Sequence, residues 1–385
     1  MSLIAAHNIF DLRRMAKHRL PRMVFDYIDG GSDDERTLRA NNDRFADYSL
    51  IHRVLVDVSE VETRTRVMGD EMAAPLILSP TAAQRLFHPR EGELAVARAA
   101  ARYNLAYGLS TLSSTPIETV AEAHTGPKWF QVYVWKDRDL VLQSLERARS
   151  AGFTGLILTV DLPVAGHRER DLYNHFSIPP TINLSTIGQA LSRPGYLLDM
   201  ALTPRIAPAQ YIDMDLQGEG IMAFLNRQFD RSLTWEDVRW MKEAWTGAFA
   251  IKGIARPDDA RRALDAGADA VWISNHGGRQ LDTGPATIDL LPAITTAVRG
   301  QAEIILDGGI RRSTDIIKAL ALGADAVAVG RAYLYGLGAA GQAGVERALG
   351  LLTEGLERDM ALCGARTLAE ITPDLIHSLP VRPMS

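Results

Sequence analysis

A segment of nine residues that recurs along the chain limits its fold more than any other feature. Residues 263–271, Ala-Leu-Asp-Ala-Gly-Ala-Asp-Ala-Val, recur as 319–327, and a looser copy occupies 148–156. Each copy has the pattern of a helix end, a glycine just past it, a short turn and the start of a buried strand. Repeated units in which a helix leads into a strand are typical of parallel sheets.

Extending this pattern along the chain predicts eight strands separated by amphipathic segments. The predicted strands are 74–80, 105–111, 128–134, 155–161, 249–254, 270–276, 303–309 and 326–331. Eight alternating units indicate a closed TIM (β/α)8 barrel of the α/β class. The alternative is a doubly wound open sheet, which is less favoured because no Gly-x-Gly-x-x-Gly fingerprint opens the chain.

We expect a single domain over residues 1–385, built in three parts. Residues 1–73 are an N-terminal helical extension that covers the base and rim of the barrel. Residues 74–339 form the barrel, and residues 340–385 form a closing helix and a tail. An insertion at 177–233 makes a long loop after strand four, where about ninety residues stand in place of a crossover that requires about a dozen.

The insertion has two interpretations. A long loop above a barrel mouth is usually a lid or a docking surface. The apolar stretches 196–198 and 221–225 favour contact of 178–230 with a membrane, whereas the acidic balance of the segment opposes binding to anionic lipid. We therefore favour a lid and keep peripheral membrane contact as the alternative.

Composition excludes several classes of protein. Hydrophobic residues make up 46% of the 385 positions and charged residues 23%, as in soluble globular proteins. A net charge of −5 does not indicate a nucleic-acid partner. The single cysteine, Cys363, rules out an intramolecular disulfide and Cys-rich metal motifs, and we predict no metal site. The sequence has neither a signal-peptide pattern nor a long apolar run, so we expect a cytoplasmic protein. The alternative location is a peripheral one on the inner face of the membrane.

The segment Ser274-Asn275-His276-Gly277-Gly278-Arg279-Gln280-Leu281-Asp282 ends predicted strand six with reactive side chains. Strand ends of a β/α barrel are rigid and face its open mouth, where catalytic groups lie. A histidine can transfer a proton near neutral pH, and an arginine beside it can hold a carboxylate in a bidentate manner. The paired glycines allow the backbone to approach a flat ligand closely.

Small and polar side chains lie at the ends of the first four predicted strands. They are Pro80, Thr81, Ala82, Ser110, Gln131 and Thr159. The Gln, Ser and Thr side chains can match the hydrogen-bonding groups of a heteroaromatic ring. Lys252 is a cation inside an apolar strand, so it requires an anionic or electron-rich partner. The alternative for Lys252 is an ion pair with a carboxylate of a neighbouring strand.

Glycine and arginine recur at the ends of the last two predicted strands. The residues are Asp307, Gly309, Arg311, Gly330 and Arg331. The loops after strands seven and eight form the usual phosphate site of such barrels. Glycines expose backbone N–H groups there, and arginines neutralise the phosphate. A phosphate site next to a ring-sized polar site fits flavin mononucleotide (FMN).

With these motifs the chain resembles the FMN-dependent α-hydroxy-acid oxidase and dehydrogenase family, which includes glycolate oxidase, L-lactate dehydrogenase and (S)-mandelate dehydrogenase. The resemblance extends over essentially the whole chain, and residues 274–282 reproduce the family signature. Supporting matches lie at 20–27, 129–133, 159–161, 251–253 and 307–311. The resemblance implies FMN as cofactor and oxidation of an L-2-hydroxy acid to the 2-keto acid.

The resemblance also implies roles for individual residues. His276 is the base, Asp161 pairs with its imidazole, and Tyr133 contacts the substrate. The residues that hold the substrate carboxylate are Tyr27, Arg168 and Arg279. Lys252 lies by the N1/C2 edge of the flavin. The other cofactor-binding residues are Pro80, Thr81, Ala82, Ser110, Gln131, Thr159, Ser274, Asp307, Gly309, Arg311, Gly330 and Arg331.

The sequence leaves the substrate, the electron acceptor and the oligomer open. Some relatives have a Trp where this chain has Leu112, and this difference argues against a small substrate such as glycolate. A lactate- or mandelate-like acid is expected, with quinone or oxygen as electron acceptor. The resemblance implies a homotetramer. The alternative functions are another FMN barrel of non-redox isomerase type and a barrel that serves only as a scaffold.

Overall fold

The computed structural model describes residues 2–176, 188–189, 191–203, 206–211 and 227–378. Eight parallel strands form a closed barrel in chain order, and the last strand pairs with the first, so the predicted TIM barrel is confirmed. The barrel strands are β1 (Leu76–Leu78), β2 (Ala106–Ser110), β3 (Lys128–Val132), β4 (Gly155–Thr159), β5 (Ala248–Ile254), β6 (Ala270–Ile273), β7 (Glu303–Asp307) and β8 (Ala326–Val329).

The predicted strands coincide with the observed ones at their centres, and all except 249–254 are too long at their carboxyl ends. The prediction for 270–276 is wrong beyond Ile273, because His276 and Gly277 have positive φ angles of 55° and 65° and cannot continue an extended strand. The prediction for 326–331 is wrong beyond Val329, because Arg331 begins the last helix. Residues 274–277 therefore lie in a loop above the barrel, and Arg331 lies at the start of a helix there.

Helices surround the barrel. Within the described ranges they span Ile9–Arg19, Arg22–Asp29, Arg36–Asp43, Gly92–Arg102, Ile117–Ala123, Arg138–Ser150, Glu169–Tyr173, Pro194–Ala201, Trp235–Ala244, Pro257–Asp265, Thr287–Val298, Ser313–Ala321 and Arg331–Cys363. Their starts follow ordinary capping chemistry: Asn8 and Asp137 cap two of them, and Thr234 forms a capping box. The last helix is interrupted by non-helical residues at Ala340 and Gly341.

A small hairpin from the N-terminal part closes the amino ends of the barrel strands. Its strands are Thr65–Val67 and Asp70–Met72. The Met68 N–H donates to the Glu303 carboxylate at 2.6 Å, and the Trp129 indole donates to Asp70 at 2.8 Å. Val67, Met68 and Met72 pack with side chains from inside the barrel. The open mouth at the carboxyl ends is thus the accessible end of the barrel.

The ends of the described chain meet outside the barrel. Tyr48–Leu50 pairs antiparallel with Ile376–Ser378, so residues before and after the barrel form a common two-stranded sheet. No helix in the described part of the chain is both long and apolar enough to span a membrane. The apolar stretch 221–225 and most of the predicted insertion lie outside the described residues.

Candidate active site

A cavity of about 750 Å³ opens at the carboxyl ends of the barrel strands. It is lined by most residues of the predicted site: Tyr27, Pro80, Thr81, Ala82, Ser110, Tyr133, Arg168, Lys252, His276, Arg279, Asp307, Gly309, Arg311, Gly330 and Arg331. Gln131, Thr159, Ser274 and Asp161 do not line it. Each of these lies directly beside a lining residue, through strand pairing or a hydrogen bond.

His276 and Asp161 form a hydrogen-bonded pair at the cavity wall. The imidazole Nδ1 lies 2.8 Å from Asp161 Oδ1. The left-handed backbone of His276 turns the chain sharply after β6, a conformation that is uncommon outside glycine. Burial alone would raise the pKa of Asp161, but the charges of His276 and Lys252 outweigh burial and lower this pKa. Asp161 is therefore an anion placed to stabilise a protonated imidazole.

Ser274 connects the catalytic loop to a buried ion pair. Its Oγ accepts hydrogen bonds from Lys252 Nζ at 2.7 Å and from the His276 N–H at 3.0 Å. Lys252 Nζ also lies 3.0 Å from Asp307 Oδ2, so the ion pair considered as the alternative for Lys252 is present. Asp307 lies at the end of β7, two strands from β5. Burial opposes the charge of Lys252, yet Asp307 and Asp161 raise its pKa.

Two arginines place positive charge at the mouth of the cavity. Arg168 Nε binds Asp171 at 2.8 Å. Arg279 Nη1 donates to the backbone carbonyls of Tyr27 and Gly30 at 2.6 and 3.2 Å, and none of the described carboxylates forms an ion pair with Arg279. Burial and the nearby Arg168 lower the pKa of Arg279. A site that brings two cations together in this way favours an anionic ligand.

Two tyrosines face the same cavity. The Tyr27 ring stacks on Phe176 with centroids 4.4 Å apart, and the Arg279 guanidinium lies 4.8 Å from the Tyr27 centroid. Burial and the charge of Asp161 raise the pKa of Tyr133 above its ordinary value. The Tyr133 hydroxyl therefore stays protonated and can donate a hydrogen bond to a ligand.

A second group of residues offers hydrogen-bonding atoms to a flat ring. Pro80, Thr81, Ala82 and Ser110 line one wall of the cavity. Gln131 is 1% exposed, and its Nε2 has no hydrogen-bond partner among the described residues. Oδ1 of the buried Asp307 also has none. Buried polar atoms are normally paired, so these two atoms indicate a ligand that supplies the missing partners.

The loop after β7 forms a backbone cradle. Gly308 and Gly309 have φ angles of 101° and 87°, and a Cβ at Gly309 would lie 1.7 Å from the Asn41 carbonyl oxygen. Only glycine fits there. Arg311 follows, and its guanidinium lies 5.8 Å from the Tyr335 ring centroid. Gly330 precedes the last helix, whose first N–H groups have no partner within the helix and can bind an anion.

The sequence analysis missed residues that hold these loops together. Asn41 and Asn275 exchange side-chain hydrogen bonds at 2.8 and 2.9 Å. Asp282 accepts from the N–H groups of Arg36 and Thr37, the first two residues of a helix. An acidic side chain on a helix start is a known pattern, but here the helix is more than 240 residues away in sequence, so no local signal existed.

Most of the apolar lining of the cavity was also not predicted. Leu112, which the sequence already related to substrate size, lines the cavity together with Leu162, Val164, Leu172, Phe176 and Phe229. Most of these residues lie in irregular loops after β4, where no hydrophobic periodicity marks them. No group of His, Cys, Asp and Glu residues within the described part of the chain is arranged to hold a metal ion.

Comparisons with known proteins identify the family. The chain matches the FMN-dependent dehydrogenase family over residues 16–378. It is 42% identical over 374 residues to an L-lactate dehydrogenase of Alcaligenes faecalis, covering 96% of this chain and 98% of that protein. An L-lactate dehydrogenase of Xanthomonas euvesicatoria is 43% identical over 370 residues, covering 95% of each chain. The solved structure of (S)-mandelate dehydrogenase, described as a monotopic membrane protein, is similar with a TM-score of 0.91 at 36% identity, covering 96% of this chain and 99% of that one.

The protein described here therefore belongs to the FMN-dependent dehydrogenase family, and FMN is its cofactor. The family assignment agrees with the resemblance found in the sequence motifs.

Proposed function

We propose that the protein oxidises an L-2-hydroxy acid, lactate- or mandelate-like, to the 2-keto acid with FMN as cofactor. The observation that carries this proposal is the position of His276, hydrogen-bonded to Asp161 behind it, in the same cavity as Arg168 and Arg279. A base and a carboxylate-binding pair together match a hydroxy acid, which offers both a removable proton and a carboxylate. The names of the relatives support the same substrate class.

The residues present fit FMN. We propose that Pro80, Thr81, Ala82, Ser110, Gln131 and Thr159 surround the flavin ring, with Ser274 fixing Lys252 at one edge of the ring. The unpartnered Nε2 of Gln131 supports this placement. The ribityl chain and phosphate would be held at Asp307, Gly309, Arg311, Gly330 and Arg331, where the glycine backbone, the first N–H groups of the last helix and the Arg311 guanidinium are suited to a phosphate.

We propose the following roles for FMN and the site residues in the reaction. FMN, when bound, accepts the two electrons that leave the substrate. Because Nδ1 of His276 is bonded to Asp161, Nε2 is the nitrogen that takes a proton from the substrate. Asp161 stabilises the imidazolium that forms. Arg168 and Arg279 hold the carboxylate, and the hydroxyl groups of Tyr27 and Tyr133 donate to it or to the substrate oxygen.

The test is the visible spectrum of the purified protein under anaerobic conditions as L-lactate and then L-mandelate are added. We expect flavin bands that one of the two acids bleaches, and this outcome defines the reaction and the size of the substrate together. A flavin that no 2-hydroxy acid bleaches would overturn the proposed reaction. Admitting air then tests oxygen as the acceptor, since rapid return of the colour indicates oxygen. Where the colour returns slowly in air, rapid return on adding a soluble quinone analogue indicates quinone.

We further propose a cytoplasmic, single-domain protein in which 178–230 contacts the inner face of a membrane rather than serving as the lid that the sequence favours, with quinone or oxygen as electron acceptor. The description of the similar (S)-mandelate dehydrogenase structure as a monotopic membrane protein supports this choice. In the described part of this segment, the Tyr196 hydroxyl donates to the Leu86 carbonyl at 2.8 Å and anchors the helix Pro194–Ala201. Leu191, Leu198 and Leu202 are more than half exposed beside it. Exposed apolar clusters of this kind mark contact surfaces. The homotetramer remains a proposal from the resemblance alone, to be tested by light scattering.

A further inference from the structure

Arg331 joins three parts of the chain with its guanidinium group. Its Nε donates to the Ile28 carbonyl at 2.9 Å, its Nη2 to the Gly30 carbonyl at 2.8 Å and its Nη1 to the Gly277 carbonyl at 2.8 Å. Gly277 directly follows His276. A Cβ at Gly277 would lie 2.6 Å from Arg331 Nη1, so the guanidinium packs directly against the catalytic loop.

Two of the three carbonyls that bind Arg331, those of Ile28 and Gly30, belong to the end of the helix Arg22–Asp29. The last carbonyls of a helix have no partners within it, and they carry the negative end of its dipole. Arg279 uses the same helix end, since its Nη1 donates to Tyr27 and Gly30. Arg279 and Arg331 therefore share the Gly30 carbonyl, and the helix end holds both guanidinium groups side by side.

We propose that Arg331 is a positioning residue of the substrate site: its side chain holds Arg279 and the loop of His276 in place, whereas the side chain of Arg311 provides the cation for the FMN phosphate. This inference rests on the proposed function and differs from the expectation that the Arg331 side chain binds phosphate. All three donors of Arg331 are directed at carbonyls of the segments that also hold Arg279 and follow His276.

The electrostatics agree with this assignment. Burial lowers the pKa of Arg331 to about 10, and Arg279 and Arg311 contribute in the same direction. The group stays protonated at neutral pH. None of the described carboxylates forms an ion pair with Arg279 or Arg331, so carbonyl dipoles are what stabilises their charges. Carbonyl dipoles compensate a positive charge less completely than a carboxylate does. The uncompensated positive charge favours binding of a substrate anion at Arg279.

The experiment compares the full-length wild type with the variants Arg331→Met, Arg331→Lys and Arg311→Met. Two affinities are measured for each protein. The first is the ratio of the dissociation constants of riboflavin and FMN, from flavin fluorescence, which isolates the contribution of the phosphate. The second is the dissociation constant of pyruvate, from the change it causes in the spectrum of the bound flavin.

We expect Arg331→Met to keep the wild-type preference for FMN over riboflavin and to bind pyruvate roughly tenfold more weakly. Arg311→Met should lose most of the preference for FMN. If Arg331→Met loses that preference to the same extent as Arg311→Met and still binds pyruvate normally, the side chain is a phosphate ligand and the inference is wrong.

Arg331→Lys covers the case in which the methionine variant does not fold. A lysine keeps the charge but cannot bridge three carbonyls, so it should retain FMN and still weaken pyruvate binding. Pyruvate binding equal to the wild type in Arg331→Lys would overturn the inference. Failure of the proposed function is a separate result, because it would appear in the wild type as an FMN that no 2-hydroxy acid reduces.

Discussion

Lys252 shows at the scale of one residue how stability and function depend on the same buried charge. Its ion pair with Asp307 is almost fully buried, and removing one partner of such a pair leaves the other without compensation. We expect Lys252→Met to lower the free energy of unfolding by about 3–5 kcal/mol at neutral pH. Urea unfolding at two fixed FMN concentrations measures this loss and separates it from weakened cofactor binding.

The same pair has a defined pH dependence. The pKa of Lys252 is raised in the folded protein. The charged lysine therefore contributes fully to the free energy of unfolding below its unfolded pKa of about 10.4, and this contribution is lost as the pH rises through the folded pKa. The difference between wild type and Lys252→Met should therefore be constant from neutral pH up to about 10. The double variant Lys252→Met/Asp307→Leu should recover part of the stability, and a single variant as stable as the wild type would refute the account.

Gly309 allows a matched test of the backbone cradle. Gly309 and Gly69 have similar φ angles of 87° and 80°, but a Cβ at Gly309 would lie 1.7 Å from the Asn41 carbonyl oxygen, whereas a Cβ at Gly69 meets nothing within 4 Å. We expect Gly69→Ala to lower the melting temperature by about 2–4 °C through backbone strain alone. Gly309→Ala should lose FMN and stable folding. Equal melting temperatures and equal FMN contents of the two variants would contradict the close approach of Gly309 to the Asn41 carbonyl.

Single residues were predictable where a reactive group follows a buried strand. His276, Lys252 and Asp307 lie at such strand ends, and the structure brings them to one cavity. The partners of these groups were harder to predict. Asn41 and Asn275 pair across 234 positions, and nothing in the local sequence of either marks the other. Long-range hydrogen bonds depend on the tertiary arrangement, and residue types and their spacing do not predict which distant residues that arrangement brings together.

At the scale of elements, the helix Pro194–Ala201 carries the proposed membrane contact. Leu198 and Leu202 are 56% and 65% exposed. Replacing both with glutamate should reduce co-sedimentation with vesicles of zwitterionic phosphatidylcholine alone by about tenfold or more, because two apolar groups no longer enter the bilayer. Leu362→Glu, at an exposed leucine of the last helix, is the control. A wild type that stays in the supernatant would refute the contact, and equal losses in the control would show that it is unspecific.

The elements differ in how far the sequence predicts them. Repeated Gly-Ala-Asp turns with apolar runs after them predict the strands, since each signal is local. The hairpin of Thr65–Val67 and Asp70–Met72 was not predicted, because its strands are short and its stability comes from packing into the base of the barrel. The end of the helix Arg22–Asp29 was also not recognised as a binding element, since the arginines that contact it come from a later loop and from the start of the last helix.

At the scale of the whole molecule, the barrel brings side chains from distant parts of the chain to one mouth. Tyr27 precedes the barrel, His276 follows β6, and Arg331 begins the last helix. Closure of the barrel places all three around the same cavity. Such a site can combine a base, an anion-binding pair and a cofactor cradle because each group is held by a different rigid element.

The most direct test of this account is the rate at which substrate reduces the bound flavin in His276→Gln. Glutamine preserves hydrogen bonding to Asp161 but cannot accept the proton, and His52→Gln, at an exposed histidine, serves as the control. Anaerobic stopped-flow absorbance should show normal FMN content and flavin reduction slowed by roughly a thousandfold in His276→Gln, with no change in the control. Reduction within about tenfold of the wild-type rate would show that another group takes the proton and would contradict the central claim.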